Sequence, residues 1–259
     1  MRRSSTAVVA LAAAVLMLSA PVSADVVQKG GVRVFVEGRM APRKLPRHEG
    51  VPVAVSIDGR IGSAVSGGNP RLQRLQIAIN SHGHLSTAGI PRCRLGHIDP
   101  STTAEARSAC AASLVGEGHF SANVRLPEQS PFPSEGKVLA FNGRLRGRPA
   151  IFVHIYGKKP VPTSYVLPFL IKRSRGTYGT LLQASFPEVT GEWGYVTGLS
   201  MILDGRSGSP RPKGAYLSAA CPAPPGFGGA SFPLMRTTFS FADGPDLVSV
   251  VTGNCTVRP

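Results

Sequence analysis

The chain has 259 residues, with 29 Lys and Arg against 14 Asp and Glu, for a formal charge of +15. An apolar content of 42% excludes a disordered linker protein despite 30 glycines and 23 prolines, and the length suffices for one large all-β domain or two small ones. Arginine outnumbers lysine 22 to 7, which points to an anionic partner, although a GC-rich coding sequence yields the same excess of Ala, Gly, Arg, Pro and Val.

The first element is a leader. Met1-Arg2-Arg3 is a basic start, residues 7–18 are an apolar run, and Val22-Ser23-Ala24 supplies small residues before Asp25. This is the layout of a signal peptide, cut after Ala24, and the run is shorter than the ~20 residues that cross a bilayer. Ser4-Ser5-Thr6 follows Arg2-Arg3 where a twin-arginine signal carries an apolar pair, so ordinary unfolded export is expected. No second apolar stretch approaches 18 residues, and Thr256-Val257-Arg258-Pro259 is no anchor. The sequence therefore predicts residues 25–259 as a secreted or cell-wall-associated protein with no transmembrane segment and a charge of +13 once Arg2 and Arg3 are removed.

Period-two alternation predicts the strands. Val32, Val34 and Val36 alternate with polar neighbours, as do Val53, Val55 and Ile57, then Leu75, Ile77 and Ile79, then Phe120, Ala122 and Val124. Runs at 137–142, 150–156, 165–172, 181–186 and 195–203 are apolar on both faces. Segments 215–220, 236–241 and 247–257 complete the set. Asp58-Gly59, Asn142-Gly143 and Asp243-Gly244 are expected to close hairpins. Proline-rich 42–47 reads as an extended linker between the first two strands, and 207–212 and 222–229 as longer loops.

One helix interrupts the pattern near 101–114. Its start is either Asp99 capping with Pro100 at the first helical position, or a capping box of Thr102 and Glu105. Ala106, Cys110 and Leu114 then share one face. The expected fold is an all-β, antiparallel β-sandwich or barrel-like structure with this one short disulfide-stapled helix, and a possible subdomain boundary near 89–100.

Four cysteines, an even number in an exported chain, predict two disulfides. Of three connectivities, sequence proximity favours Cys93–Cys110 and Cys221–Cys255. Their intervals of 16, 110 and 33 residues match no zinc pattern.

Leu114-Val115-Gly116-Glu117-Gly118, Phe141-Asn142-Gly143, Ser218-Ala219-Ala220-Cys221-Pro222 and Thr238-Phe239-Ser240-Phe241-Ala242-Asp243-Gly244 together resemble a group of secreted β-rich proteins encoded by actinobacteria. That group has no assigned activity, so the resemblance implies an exported, wall-associated protein and carries over no site residue.

No catalytic, metal or cofactor motif stands out. His82-Gly83-His84 reads as a solvated hairpin tip, His119 lies on a polar strand face, and His154 reads as a hydrogen-bonded packing residue. Gly205-Arg206-Ser207-Gly208 and Gly62-Ser63-Ala64 lack the setting of a nucleophile elbow, and Gly226-Phe227-Gly228-Gly229 lacks the Lys-Ser/Thr of a phosphate loop. Glu188 and Glu192 beside Trp193 have the residue types of a glycoside hydrolase pair but sit at a predicted turn. Arg144, Arg146 and Arg148 around one turn and Lys172, Arg173 and Arg175 at the next strand's end are the best candidate anion site, with Lys158 and Lys159 closing a third turn. Few aromatics interleave these clusters, which argues against nucleic acid and for an anionic cell-wall polymer. The expected protein is non-enzymatic. The alternatives are a polymer hydrolase, or a carrier of an apolar ligand in a cavity lined by 165–171 and 195–203.

Overall fold

The computed structural model describes residues 23–63, 70–125, 128–159, 161–186, 194–204, 216–242 and 244–258. Its strands are β1 (Ser23–Lys29), β2 (Val32–Ala41), β3 (Lys44–Leu45), β4 (Val51–Pro52), β5 (Ala54–Ser63), β6 (Leu72–Asn80), β7 (Gly83–Leu85), β8 (Leu114–Val124) and β9 (Phe132–Leu145). The later strands are β10 (Arg148–Gly157), β11 (Thr163–Arg173), β12 (Tyr178–Ser185), β13 (Gly194–Leu203), β14 (Leu217–Ala219), β15 (Gly229–Phe241) and β16 (Leu247–Val257). The helix α1 (Thr103–Cys110) lies between β7 and β8.

Among the described residues, thirteen strands form one sheet in the order β1-β2-β5-β13-β8-β9-β10-β11-β12-β6-β15-β16-β3. Every pairing is antiparallel except β16 with β3. Strands from either side of 89–100 interleave in it, β5 with β13 and β6 with β12 and β15. The sheet curls until its first strands meet its last. A Cβ on Gly38 of β2 would lie 2.9 Å from Met235 Cε of β15 and 3.1 Å from Val251 Cγ1 of β16. At the seam β1 and β16 share no ladder; instead the Val250 N–H donates to Asp25 Oδ2 at 2.9 Å.

The alternation read in the sequence sets the core. Val32, Val34, Val36 and Met40 of β2 and Leu247, Val251 and Cys255 of β16 point into the curl with Leu75, Val153, Phe169 and Phe239. A small sheet, β4-β14-β7, closes one part of this core. The apolar cavity beside it is about 50 Å³, lined by Met40, Val55, Ile79, Leu203, Leu217 and Phe232 among others. Pockets that hold drug-sized ligands measure roughly 300–1,000 Å³. This space therefore gives the carrier alternative no support.

A second core lies outside the sheet. Leu139, Phe141, Ala150, Phe152 and Val166, on the outward face of β9, β10 and β11, are covered by α1 through Ala106 and Cys110 and by Cys93 and Ile98. The helix begins at Thr102, not Asp99: Thr102 Oγ1 accepts from the Glu105 N–H and the Glu105 carboxylate accepts from the Thr102 N–H at 2.7 Å. Disulfides join Cys93 to Cys110 and Cys221 to Cys255. Arg107 holds Glu117 of β8 through two hydrogen bonds of 2.7 and 2.6 Å, a second tie between helix and sheet.

Two expected turns and one expected linker are strand instead. Asp58-Gly59 lies inside β5 and Asn142-Gly143 inside β9, so neither closes a hairpin. The β9–β10 turn is Arg146-Gly147, with φ of 49° and 78°, the doubly left-handed form of a two-residue hairpin loop. Asn142 stays extended because its Nδ2 bridges Ile90 O and Pro91 O, both at 3.1 Å. Asp243 lies outside the described residues. Residues 42–47 are also no linker, since Leu45 is fully buried in β3, beside β16. Arg47 donates to the carbonyls of Ala223, Pro224 and Phe227, so it clamps the 222–228 loop.

Candidate functional site

The topology gathers the predicted basic residues. Strand β10 pairs with both β9 and β11, with Arg148 opposite Leu145 and Ala150 opposite Leu170. Continuing that second register by two residues sets Arg148 beside Lys172. The β9–β10 and β11–β12 turns therefore lie at the same end of the sheet. Arg144, Arg146, Arg148, Lys172, Arg173 and Arg175 are all exposed there. Lys158 and Lys159, on the β10–β11 turn, lie at the opposite end and do not join them.

Two further cations belong to this rim that sequence reasoning missed. Cys93 bridges to Gly143, and its N–H donates to Asn142 O at 2.8 Å, so exposed Arg92 and Arg94 flank the strand that carries Arg144. The bridge to Gly143 and the Asn142 side chain's bonds to Ile90 O and Pro91 O bring them here, contacts with a strand distant in sequence that no residue near Arg92 announces. None of the eight cations forms an ion pair with a carboxylate among the described residues; Lys172 Nζ donates to Gln183 Oε1 at 3.0 Å. Unpaired guanidinium forks on turns suit phosphate or carboxylate oxygens, which they bind bidentately.

A second site lies on the outward face across β2, β5, β13, β8 and β9. Here a groove of about 420 Å³ is lined by residues that include Glu37, Asp58, Ser200, His119 and Lys137. Each is the direct cross-strand partner of the next. Ser, His and acidic side chains thus meet in one row, yet the order is wrong for a triad. Ser200 separates Asp58 from His119, whereas a triad needs the His in the middle. Glu117, two residues from His119 on β8, is held by both oxygens to Arg107. That hydrogen-bonded pair, more than any other influence, keeps its carboxyl below the usual range. It is committed to the helix and does not orient His119.

The remaining histidines are structural or solvated. His82 and His84 are exposed beside the β6–β7 turn, which Asn80 Oδ1 closes by accepting the His82 N–H at 2.9 Å. His154 is fully buried under α1, where its Nε2 lies 3.0 Å from Ser101 O and 3.3 Å from Ser101 Oγ. The ring donates to that carbonyl and locks the segment before α1 onto β10. Burial pushes its pKa below the usual 6.5, against smaller upward pulls from the Ser101 hydrogen bond and Asp99. The folded state therefore takes up the proton less readily than the unfolded chain. Stability from this group is complete above pH 6.5 and is lost as pH falls from 6.5 through the lowered folded pKa. The expected slope is up to about 1.4 kcal/mol per pH unit in that window. Urea midpoints from pH 7.5 to 5 should decline in the wild type, and less so in His154→Gln.

Glu188, Glu192 and the Gly205-Arg206-Ser207-Gly208 stretch lie outside the described residues. Ser63, of Gly62-Ser63, sits on strand β5 and donates to Gly31 O at 3.3 Å, not on an elbow. Among the described residues no cluster of three or more His, Cys, Asp or Glu is placed to hold a metal ion. None of their helices is long and apolar enough to cross a membrane. Comparison with family models, with curated proteins and with solved structures finds no match.

Proposed function

We propose that this protein is exported and that its basic rim binds an anionic polymer of the cell envelope, without turning it over. The observation that carries this reading is the gathering of two basic turns, with Arg92 and Arg94, at one end of the sheet, none of these cations ion-paired to a carboxylate among the described residues. The two disulfides fit an oxidising, non-cytoplasmic compartment. The resemblance to secreted actinobacterial proteins supports the same address. The test is a pull-down on cell-wall sacculi, intact or stripped of covalently attached anionic polymer, over a salt series. Binding should fall with salt and vanish on stripped sacculi. Equal retention on both, or retention unchanged by salt, overturns the proposal.

Export carries its own expected result. Cleavage after Ala24 would remove Ser23 and Ala24 from β1 and leave Asp25, with the carboxylate that meets β16 at the seam. Edman sequencing of protein from culture supernatant should begin at Asp25. A start at Met1 or well beyond Asp25 contradicts the leader assignment.

A further inference from the structure

We infer that the outward groove across β2, β5, β13, β8 and β9 is a second binding site, for a short peptide with a free amino group and a free carboxylate. The site is independent of the basic rim. Its volume of about 420 Å³ is in the range of small-ligand pockets. Its charges are ordered by sign along one cross-strand row. Glu37 and Asp58 face each other on β2 and β5, and His119 and Lys137 face each other on β8 and β9, with Ser200 of β13 between the pairs.

The acidic end is the unusual half. Like charges directly opposite each other across two strands are destabilising, and this chain has only 14 acidic residues against 29 cations. Each carboxylate is held by an arginine on its own strand through one oxygen only: Glu37 Oε1 by Arg39 at 2.7 Å and Asp58 Oδ1 by Arg60 at 2.9 Å. That leaves Glu37 Oε2 and Asp58 Oδ2 with acceptor capacity at the groove, a seat for an ammonium group with two carboxylates to receive it. At the other end Lys137 is exposed and forms no ion pair among the described residues; the nearby Glu117 carboxylate, whose charge it feels, is already held through both oxygens by Arg107, so the ammonium can receive a ligand carboxylate.

The spacing fixes the ligand's length. From Asp58 to Lys137 the row crosses three strand spacings, roughly 14 Å at about 4.8 Å each. An extended peptide advances about 3.4 Å per residue, so a tetrapeptide carries its two terminal charges that far apart. Ser56 lies beside Asp58 on β5, and between the ends the Ser200 hydroxyl and the Ile202 side chain, 54% exposed, offer polar and apolar contacts to a backbone lying across the strands. Gly118 also lines the groove. A Cβ there would collide with Ser200 O, so the bare backbone is what lets β8 and β13 pack this closely beneath the ligand.

The test uses the full mature chain and tetra-alanine, compared by calorimetric titration with its N-acetyl, C-amide and doubly blocked forms. Free tetra-alanine should saturate the protein and bind about tenfold or more tightly than either singly blocked form, since each block removes one charge-assisted contact. Asp58→Asn should remove the preference over the N-acetyl peptide and keep that over the amide. Lys137→Met should do the reverse. Both preferences should survive Arg144→Ser/Arg146→Ser/Arg148→Ser, which separates this site from the rim. Equal binding of the free and doubly blocked peptides by the wild type, or the absence of saturation, overturns the inference without requiring any variant to fold.

Discussion

Replacing Cys221 and Cys255 together by serine is expected to lower folding stability by about 4 kcal/mol, the loop-entropy cost for their separation of 34 residues. This is a large part of the 5–15 kcal/mol that folded domains typically hold. Both sulfurs are buried, at 0% and 4% residue exposure, so two serine hydroxyls would also enter an apolar setting. On one side β16 meets β15, with Ala230 opposite Cys255; on the other it meets only the two-residue strand β3, joined by the Cys221 N–H bond to Pro46 O and the Arg47 clamp. Urea unfolding should give a midpoint shift of that size, with the losses concentrated in amide protection of residues 44–47 and 247–257. A loss below about 1 kcal/mol would mean that Arg47 and the β3 pairing already close the loop in the unfolded ensemble.

The second large effect is expected at Phe152, fully buried between β10 and the helix. Phe152→Ala removes the side chain that fills the space over Gly143, where a Cβ would collide with the Phe152 ring. Large-to-small truncations of this kind cost about 3–5 kcal/mol. Because this core is separate from the one inside the curl, the damage should be local. Hydrogen exchange should rise over α1 and residues 93–101 and stay near wild type in β2 and β16. Combining Phe152→Ala with Cys93→Ser/Cys110→Ser should cost less than the sum of the separate losses, since both act by releasing the same helix. Strict additivity, or exchange spread evenly through the sheet, would contradict the two-core description.

The elements whose signals are local were legible in the sequence. The valine alternation at 32–36 predicted β2 and its buried face, and Thr102 with Glu105 supplied the helix start. Cysteine proximity gave the right pairing because both loops close within neighbouring elements. What failed did so where a partner distant in sequence decides. Asn142-Gly143 has the residues of a hairpin turn, but Ile90 and Pro91 bind the Asn142 side chain and keep the chain extended. Leu45 sits among prolines and basic residues that read as a linker, yet β16 takes it into the core. The two sites divide the same way. Arg144 to Arg148 are close in sequence and were found; Glu37, Asp58, His119, Lys137 and Ser200 come from five strands, and only the register across the sheet puts them in one row.

The most direct test of the rim is the salt dependence of polymer binding by the wild type and by Arg144→Ser/Arg146→Ser/Arg148→Ser. Each cation that contacts the polymer adds to the steepness with which affinity falls as salt rises. Exposed turn substitutions usually change stability by under ~0.5 kcal/mol each, so the variant should unfold near the wild-type midpoint. Weaker binding at low salt and a shallower salt slope are expected of the variant on purified anionic wall polymer. Equal affinity and equal slope for the two proteins would contradict binding through the rim.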